Sequence, residues 1–123
     1  MAAEDKTDKE QERQPGARQL LNDIFRKSLG LTGAGRIVLT SGVDGLPDEI
    51  RTKVLLAVRD YDNFDDGNDP YGEHDFGVIE LTGQPKIYWK IDYYDANFEF
   101  GGDVNRLLTI MLAEEYLRTL RRQ

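Results

Sequence analysis

The chain has no cysteine and only one histidine. Without cysteine there is no disulfide, thiolate nucleophile, cysteine-bound zinc or iron–sulfur cluster. With one histidine, a transition-metal site would depend on carboxylates for its other ligands. No apolar run approaches the roughly 20 residues of a membrane-spanning helix, and MAAEDKTDKEQERQ has no apolar core of a signal peptide. These absences predict a cytoplasmic protein that does not bind a membrane.

Basic residues are also missing from one long segment, whereas acidic ones are concentrated there. Residues 60–75 contain no Lys or Arg, in a chain whose formal net charge is -7. The acidic residues of this segment are Asp60, Asp62, Asp65, Asp66, Asp69, Glu73 and Asp75. Such a segment repels nucleic acid, because affinity for polyphosphate comes from cations that displace counterions. The charge therefore disfavours direct nucleic-acid binding and favours a cation or a protein partner with a basic surface.

The first half of the chain predicts a tail followed by two helices and a strand. Residues 1–16 lack apolar periodicity and are predicted to be a disordered tail, and residues 17–123 a single domain. Apolar residues at helical spacing predict a first helix that ends near Gly30. These residues are Leu20, Leu21, Ile24, Phe25 and Leu29. A strand is predicted over residues 36–40, and a second helix opens at Pro47. Its buried stripe is Ile50, Val54, Ala57, Val58 and Tyr61.

The second half predicts a hairpin and a last helix. Two strands in DFGVIELTGQPKIYWKIDYYD are joined across residues 82–85. The segment VNRLLTIMLAEEYLRTL is apolar nearly all round in its middle, which predicts a helix capped by Asp103. The order helix, strand, helix, strand, strand, helix indicates an α+β fold. We expect a small, mostly antiparallel sheet of about three strands with one hairpin, covered by about three helices.

The segment NDPYGEHDFG, residues 68–77, holds the single histidine. An EF-hand calcium loop that begins at Asp62 would include part of this segment. That motif does not fit, because Phe64 offers no oxygen at the third position and a strand follows instead of a helix. His74 beside carboxylates is a candidate general base, with Asp75 and Asp92 as further catalytic candidates. The alternative is a partly buried, hydrogen-bonding histidine at the start of a strand. No cofactor is predicted and no metal site is assigned, although a divalent cation held by the carboxylates stays an open alternative.

The strand that contains YWKIDYYD alternates between two faces. Lys90 and Asp92 point the same way as Tyr88 and Tyr94, so the two charges can pair across the pleat. This face is either ordinary sheet surface or a recognition surface, since Tyr and Trp are frequent in interface hot spots. The hairpin is also expected to bring Asp69, His74, Asp75, Asp92 and Asp95 together beside Tyr71, Tyr93 and Tyr94. The predicted binding residues are Asp69, Tyr71, Glu73, His74, Asp75, Lys90, Asp92, Tyr93, Tyr94 and Asp95.

Five segments together resemble one family, domain of unknown function 3768. They are LNDIFR (21–26), RIVLTSGV (36–43), NDPYGEHDFG (68–77), WKIDYYD (89–95) and LLTIMLAEEY (107–116). The resemblance spans residues 20–116 and implies a small bacterial protein, mainly alphaproteobacterial and often carried on mobile elements, with no established activity. It also implies that residues 69–75 and most of residues 90–95 belong to the family pattern. The segment GGDVN before the last predicted helix is shorter here than in the family.

Residues and resemblance together predict a non-enzymatic interaction or accessory protein of bacterial mobile elements. It would act through the acidic loop and the aromatic sheet face, one form being a nucleic-acid mimic that inhibits a basic partner. The alternatives are a hydrolase-like enzyme or a cation-binding protein that uses His74 with clustered carboxylates, and a domain that completes a larger assembly. The sequence does not determine the partner or the oligomeric state.

Overall fold

The structure, a computed structural model, describes the backbone of residues 15–121 and the side chains of residues 16–119. The helices are α1 (Pro15–Lys27), α2 (Ser41–Asp44), α3 (Asp48–Arg59) and α4 (Ala113–Arg121). The strands are β1 (Gly35–Leu39), β2 (Phe76–Ile79), β3 (Ile87–Tyr94) and β4 (Asn105–Leu112). The predicted α+β class is confirmed. The predicted tail lies outside the described residues except for its last two, which begin α1.

The four strands form one mixed sheet in the order β1-β4-β3-β2. The predicted hairpin is confirmed, since β2 pairs antiparallel with β3 and Phe76 lies opposite Lys90. β4 is antiparallel to β3, whereas β1 is parallel to β4. The parallel pair requires a long connection, and α2, α3 and the hairpin occupy it.

The prediction of a helix beginning at Asp103 is wrong for its first half. Residues Asn105–Leu112 form β4, a central strand of the sheet, and only Ala113–Arg121 is helical. Apolar residues fill five of the eight positions of this segment, which fits a buried strand as well as a buried helix, so periodicity alone cannot distinguish them. The sheet therefore has four strands instead of three. The short α2 adds a fourth helix that was not predicted.

The hydrophobic core lies on the inner face of the sheet. Alternation along β3 and β4 directs Ile87, Trp89, Leu108 and Ile110 inward, where all four are fully buried. The predicted stripe of α3 packs on them, with Val54 and Val58 fully buried and Ile50 and Ala57 partly buried against the core. Pro47 is the N-cap residue of this helix, one position before its first turn. The opposite face of the sheet is called the outer face below.

The turn after α1 also agrees with the sequence. Gly30 has a φ of 82° and its N–H donates to the Phe25 carbonyl at 2.9 Å, which closes the C-terminus of the helix.

Among residues 15–121, the helices are too short and too polar to cross a bilayer.

Candidate functional site

His74 lies in a loop that leads into β2, and Asp69 shapes that loop. The Oδ1 atom of Asp69 accepts the backbone N–H groups of Glu73 at 2.9 Å and His74 at 3.2 Å. His74 itself has a φ of 56°, the left-handed conformation that His adopts more readily than most residues. Asp69 is buried. It therefore fixes the backbone on which the single histidine is carried.

Both ring nitrogens of His74 are bonded to α1. Nδ1 lies 2.9 Å from Asp23 Oδ1, and Nε2 lies 2.7 Å from Gln19 Nε2. A carboxylate only accepts, so Nδ1 donates to Asp23, and Nε2 also lies 3.7 Å from Asp69 Oδ2. The ring stacks on Phe64 with centroids 3.7 Å apart and planes within 5°. The histidine thus joins α1 to residues 60–75, called the acidic loop from here on.

A carboxylate that holds the Nδ1 proton is also how hydrolases orient a histidine base. That chemistry needs a free Nε2 beside a nucleophile. Here Nε2 accepts from Gln19, and no hydroxyl of residues 16–119 is hydrogen-bonded to the ring. The interpretation of His74 as a partly buried, hydrogen-bonding residue near the start of a strand is confirmed, with a side chain 20% exposed.

Asn22 on α1 forms a second connection, to Tyr93 on β3. Asn22 Nδ2 donates to Tyr93 Oη at 2.8 Å and to the Glu73 carbonyl at 2.9 Å. Its Oδ1 accepts from Arg106 Nε at 2.6 Å. Each of the polar atoms of this fully buried amide therefore has a partner, and the three partners lie on the acidic loop, β3 and β4.

Tyr93 also contacts Asp75, next to Glu73 and His74 in the acidic loop. Its hydroxyl donates to Asp75 Oδ2 at 3.1 Å. Burial raises the pKa of the Asp75 carboxyl, and the nearby Glu73 and Asp69 charges raise it further, against the hydrogen bond from Tyr93. Burial likewise raises the pKa of the Tyr93 hydroxyl. Desolvation of both groups shows that this end of the sheet is packed against α1 and the loop.

Arg26 supplies the third connection of α1. Its guanidinium donates to the Val58 carbonyl at 2.8 Å and the Arg59 carbonyl at 3.0 Å, the last carbonyls of α3. It also donates to Asp23 Oδ1 at 2.9 Å. Because Asp23 contacts both Arg26 and His74, the buried cation has a counter-ion and Asp23 links two of the connections.

The buried side of α1 is therefore polar. The sequence pattern predicted instead that its apolar side would be buried. Asn22 and Arg26 are 0% and 1% exposed, whereas Leu20 and Leu21 are 59% and 49% exposed. Of the apolar residues that predicted this helix, Phe25 alone is fully buried. The polar residues that face inward are Arg18, Gln19, Asn22, Asp23 and Arg26. They recur at spacings of three and four, and this second periodicity is the signal that could have identified them.

Most of these helices and strands lie in the part of the chain that matches one protein-family model. The family model described as Protein of unknown function (DUF3768) matches residues 39–115, more than half of the chain. The chain belongs to the DUF3768 family. The match contains the acidic loop, β2, β3 and β4, whereas α1 lies before it. The resemblance inferred from residue 20 onward is thus shown from residue 39. No curated protein and no solved structure matches this DUF3768 protein.

The predicted convergence of side chains in this DUF3768 protein is confirmed in part. Asp69, His74, Asp75 and Tyr93 lie together, as described above. Asp92 does not join them, because it points to the outer face, where it pairs with Lys90 at 2.9 Å as predicted. The catalytic set of His74, Asp75 and Asp92 is therefore not assembled.

Among the described residues, none of three other predicted residues is hydrogen-bonded to His74 or stacked on its ring. Asp95 Oδ1 accepts the N–H groups of Asn97 and Glu99, each at 2.8 Å, in the turn after β3. Tyr94 is on the outer face near Phe98 and Phe100. Tyr71 is 78% exposed. The expectation that Asp95, Tyr71 and Tyr94 belong to the histidine cluster is wrong.

The acidic loop holds its carboxylates in two ways. Asp69 and Asp75 are bonded inward, whereas Asp62, Asp65 and Asp66 are exposed. Within residues 15–121, no three His, Asp or Glu side chains are grouped so that they could hold a metal ion.

Proposed function

We propose that this protein is a non-enzymatic interaction module whose acidic loop binds a basic surface of a protein partner. The observation that carries the proposal is the division of the loop carboxylates into an inward, hydrogen-bonded set and an outward, exposed set. Asp69 and Asp75 shape the loop, while Asp62, Asp65 and Asp66 present charge to solvent. A surface that is already ordered loses little conformational entropy when it binds.

Hydrogen bonds inside the loop also hold the exposed set in place. Asp65 Oδ1 accepts the N–H groups of Gly67 at 2.9 Å and Asn68 at 3.0 Å. Asn68 Nδ2 donates to the Asn63 carbonyl at 3.0 Å. Asp60 differs from the other exposed acids, because Arg59 pairs with it at 2.8 Å. The unneutralised charge is therefore concentrated at Asp62, Asp65 and Asp66.

One form of this function is a nucleic-acid mimic that occupies the basic groove of an enzyme or repressor. Fixed carboxylates repel nucleic acid but complement the Lys and Arg that bind it. An accessory role in bacterial mobile elements is part of the proposal and comes from the family resemblance. The cytoplasmic location rests on the composition of the sequence. A hydrolase-like function has less support, since both ring nitrogens of His74 are bonded within the protein.

The aromatic outer face is a second region for partner contact. Phe76, Tyr88 and Tyr116 pack edge to face or tilted, which fills one end of this face. Phe100 beside Tyr94 at the other end is 80% exposed. Exposed aromatic residues are frequent interface anchors.

The test is affinity purification from the native host with the tagged full chain, followed by binding measurements on each recovered partner. The loop variant carries Asp62→Asn, Asp65→Asn and Asp66→Asn. Its matched control carries Asp44→Asn, Glu49→Gln and Glu114→Gln, three exposed acids elsewhere. We expect a basic partner that binds the wild type and the control, loses at least about tenfold affinity for the loop variant, and binds more weakly as salt rises. A partner that binds the loop variant as tightly as the wild type at low salt contradicts the proposal.

Asp69 is left unchanged in the loop variant for a structural reason. Its carboxylate accepts two backbone N–H groups, so its replacement would alter the loop itself as well as its charge. Asn at position 65 retains an oxygen that can accept the turn hydrogen bonds.

A further inference from the structure

α1 exposes an apolar stripe because its polar side is buried. The exposed residues between positions 16 and 27 are Gly16, Ala17, Leu20, Leu21, Ile24 and Lys27. Only Lys27 among them carries a charge. Ala17, Leu20, Leu21 and Ile24 follow the spacing i, i+3, i+4, i+7, which places them on one side of a helix. These four residues are called the α1 stripe, in which Leu20 is 59% exposed, Leu21 49% and Ile24 39%.

The α1 stripe runs beside the acidic loop. A cleft of ≈ 240 Å³ lies between α1 and the acidic loop, with Asp23, Arg26 and Lys27 on the helix side and Tyr61, Asp62, Phe64 and His74 on the loop side. On the helix, Leu20 and Ile24 lie next to Asp23 and Lys27 around the helix axis. The bond between Asp23 and His74 fixes the distance between the two sides. On α1, the stripe therefore borders the residues that face Asp62 across the cleft.

We propose that the α1 stripe and the acidic loop together bind an amphipathic helix of a partner protein. The apolar ridge of that helix packs on the α1 stripe, and its flanking Lys or Arg side chains face Asp62, Asp65 and Asp66. This proposal rests on the proposed function, to which it adds the chemistry of the partner segment. Helices dock by apolar residues at this same spacing, so α1 offers matching ridges and grooves.

Charge and size favour this occupant over two others. A membrane surface is usually anionic and is repelled by a protein of net charge -7 with an adjacent acidic loop. A second copy offers the same acidic loop, and two such loops repel each other. One face of a 13-residue helix, about 20 Å long, also buries less than the roughly 800 Å² per partner of a stable dimer. A helix that contacts the loop as well enlarges the interface and supplies the missing positive charge.

The test uses three fluorescent, stapled helical peptides and the full-length protein. One peptide has a Leu ridge with Lys flanks, the second the same ridge with Glu flanks, and the third a Ser ridge with Lys flanks. The stripe variant is Leu20→Ser, Leu21→Ser and Ile24→Ser, and Leu20→Ser alone serves if the triple variant does not fold. Circular dichroism establishes folding, and fluorescence anisotropy gives the dissociation constants.

We expect the wild type to bind the Leu-ridge, Lys-flanked peptide and to bind each of the other two at least about tenfold more weakly. The stripe variant and the loop variant should each lose at least about tenfold affinity for the first peptide. A Lys27→Ser variant should bind it more tightly, because one like charge is removed from the cleft.

Each other outcome contradicts the inference in a distinct way. Loss of binding with the loop variant but not with the stripe variant leaves the proposed function and removes this inference. Binding of the first peptide by both variants as tightly as by the wild type, or no binding to it by the wild type at about 1 mM, removes the peptide site altogether. Self-association in light scattering, or sedimentation with anionic vesicles, that the stripe variant abolishes would assign the stripe to a second copy or a membrane. Tighter peptide binding after deletion of residues 1–14 would assign it to the chain's own N-terminal segment.

Discussion

His74 Nδ1 lies 2.9 Å from Asp23 Oδ1, across a separation of 51 residues in the sequence. The contact joins the helix before the sheet to the loop that carries the exposed Asp62, Asp65 and Asp66. Asp23 also accepts from Arg26, so the pair belongs to a larger set of buried polar contacts. The single histidine therefore determines how α1 and the acidic loop are placed relative to one another.

Replacement of His74 should reduce stability. His74→Ala removes the hydrogen bond to Asp23 and the stacking on Phe64, and it leaves Ala in a left-handed conformation. We expect a loss of about 1–3 kcal/mol in the free energy of unfolding, measured by urea denaturation. The control is Tyr71→Ala at an exposed position of the same loop, with an expected change within about 0.5 kcal/mol. Equal stability of both variants would show that the histidine contacts are not formed.

A reciprocal pair of substitutions tests which side of α1 is buried. Asn22→Leu leaves the Tyr93 hydroxyl, the Glu73 carbonyl and Arg106 without their partner, and should cost at least about 2 kcal/mol. Leu21→Asn, one position earlier, changes an exposed side chain and should cost less than about 0.5 kcal/mol. Thermal unfolding of both variants is the measurement. If Leu21→Asn is the more destabilising of the two, the apolar side of α1 is the buried one.

Asp75 should make stability depend on pH in an unusual direction. Burial raises the pKa of its carboxyl in the folded state, so the protonated form favours folding. Its contribution is fully present below about pH 3.9, the unfolded pKa, and is lost as pH rises through the folded pKa. Asp75→Asn mimics the protonated side chain and retains an acceptor for Tyr93. The variant should gain stability relative to wild type from acidic to neutral pH, measured by urea unfolding at several pH values. A difference that is constant across that range contradicts the assignment.

Glu115 should act in the opposite direction. Partial burial raises the pKa of its carboxyl, but hydrogen bonds from Thr40, Leu112 and Gly42 outweigh burial and hold the pKa below its usual range. Its contribution is therefore present above about pH 4.3, the unfolded pKa, and is lost as pH falls through the folded pKa. Glu115→Gln should be less stable than wild type at neutral pH, and the deficit should shrink in acid. The same urea series measures it, with Glu114→Gln at an exposed site as the control. A deficit that grows in acid would refute this account.

The sequence by itself determined the features that depend on local pattern. Alternation along residues 87–94 placed Lys90 and Asp92 on one face, and the turn at residues 82–85 set the hairpin. The spacing of Ile50, Val54 and Val58 identified the buried side of α3. In each case a single period of two or 3.6 residues was present, and the neighbouring element covered the apolar side.

Only the tertiary structure decided the remaining two features, the strand β4 and the buried side of α1. In both segments the local pattern is compatible with two structures. Residues 105–112 are apolar enough for a buried helix or a central strand, and pairing with β1 and β3 on both sides selects the strand. α1 carries an apolar and a polar period together. Its polar side is buried because Glu73, Tyr93 and Arg106, which are distant in sequence, present partners for Asn22 at one place. A buried polar side chain is stable only where such partners meet, and the fold alone brings them together.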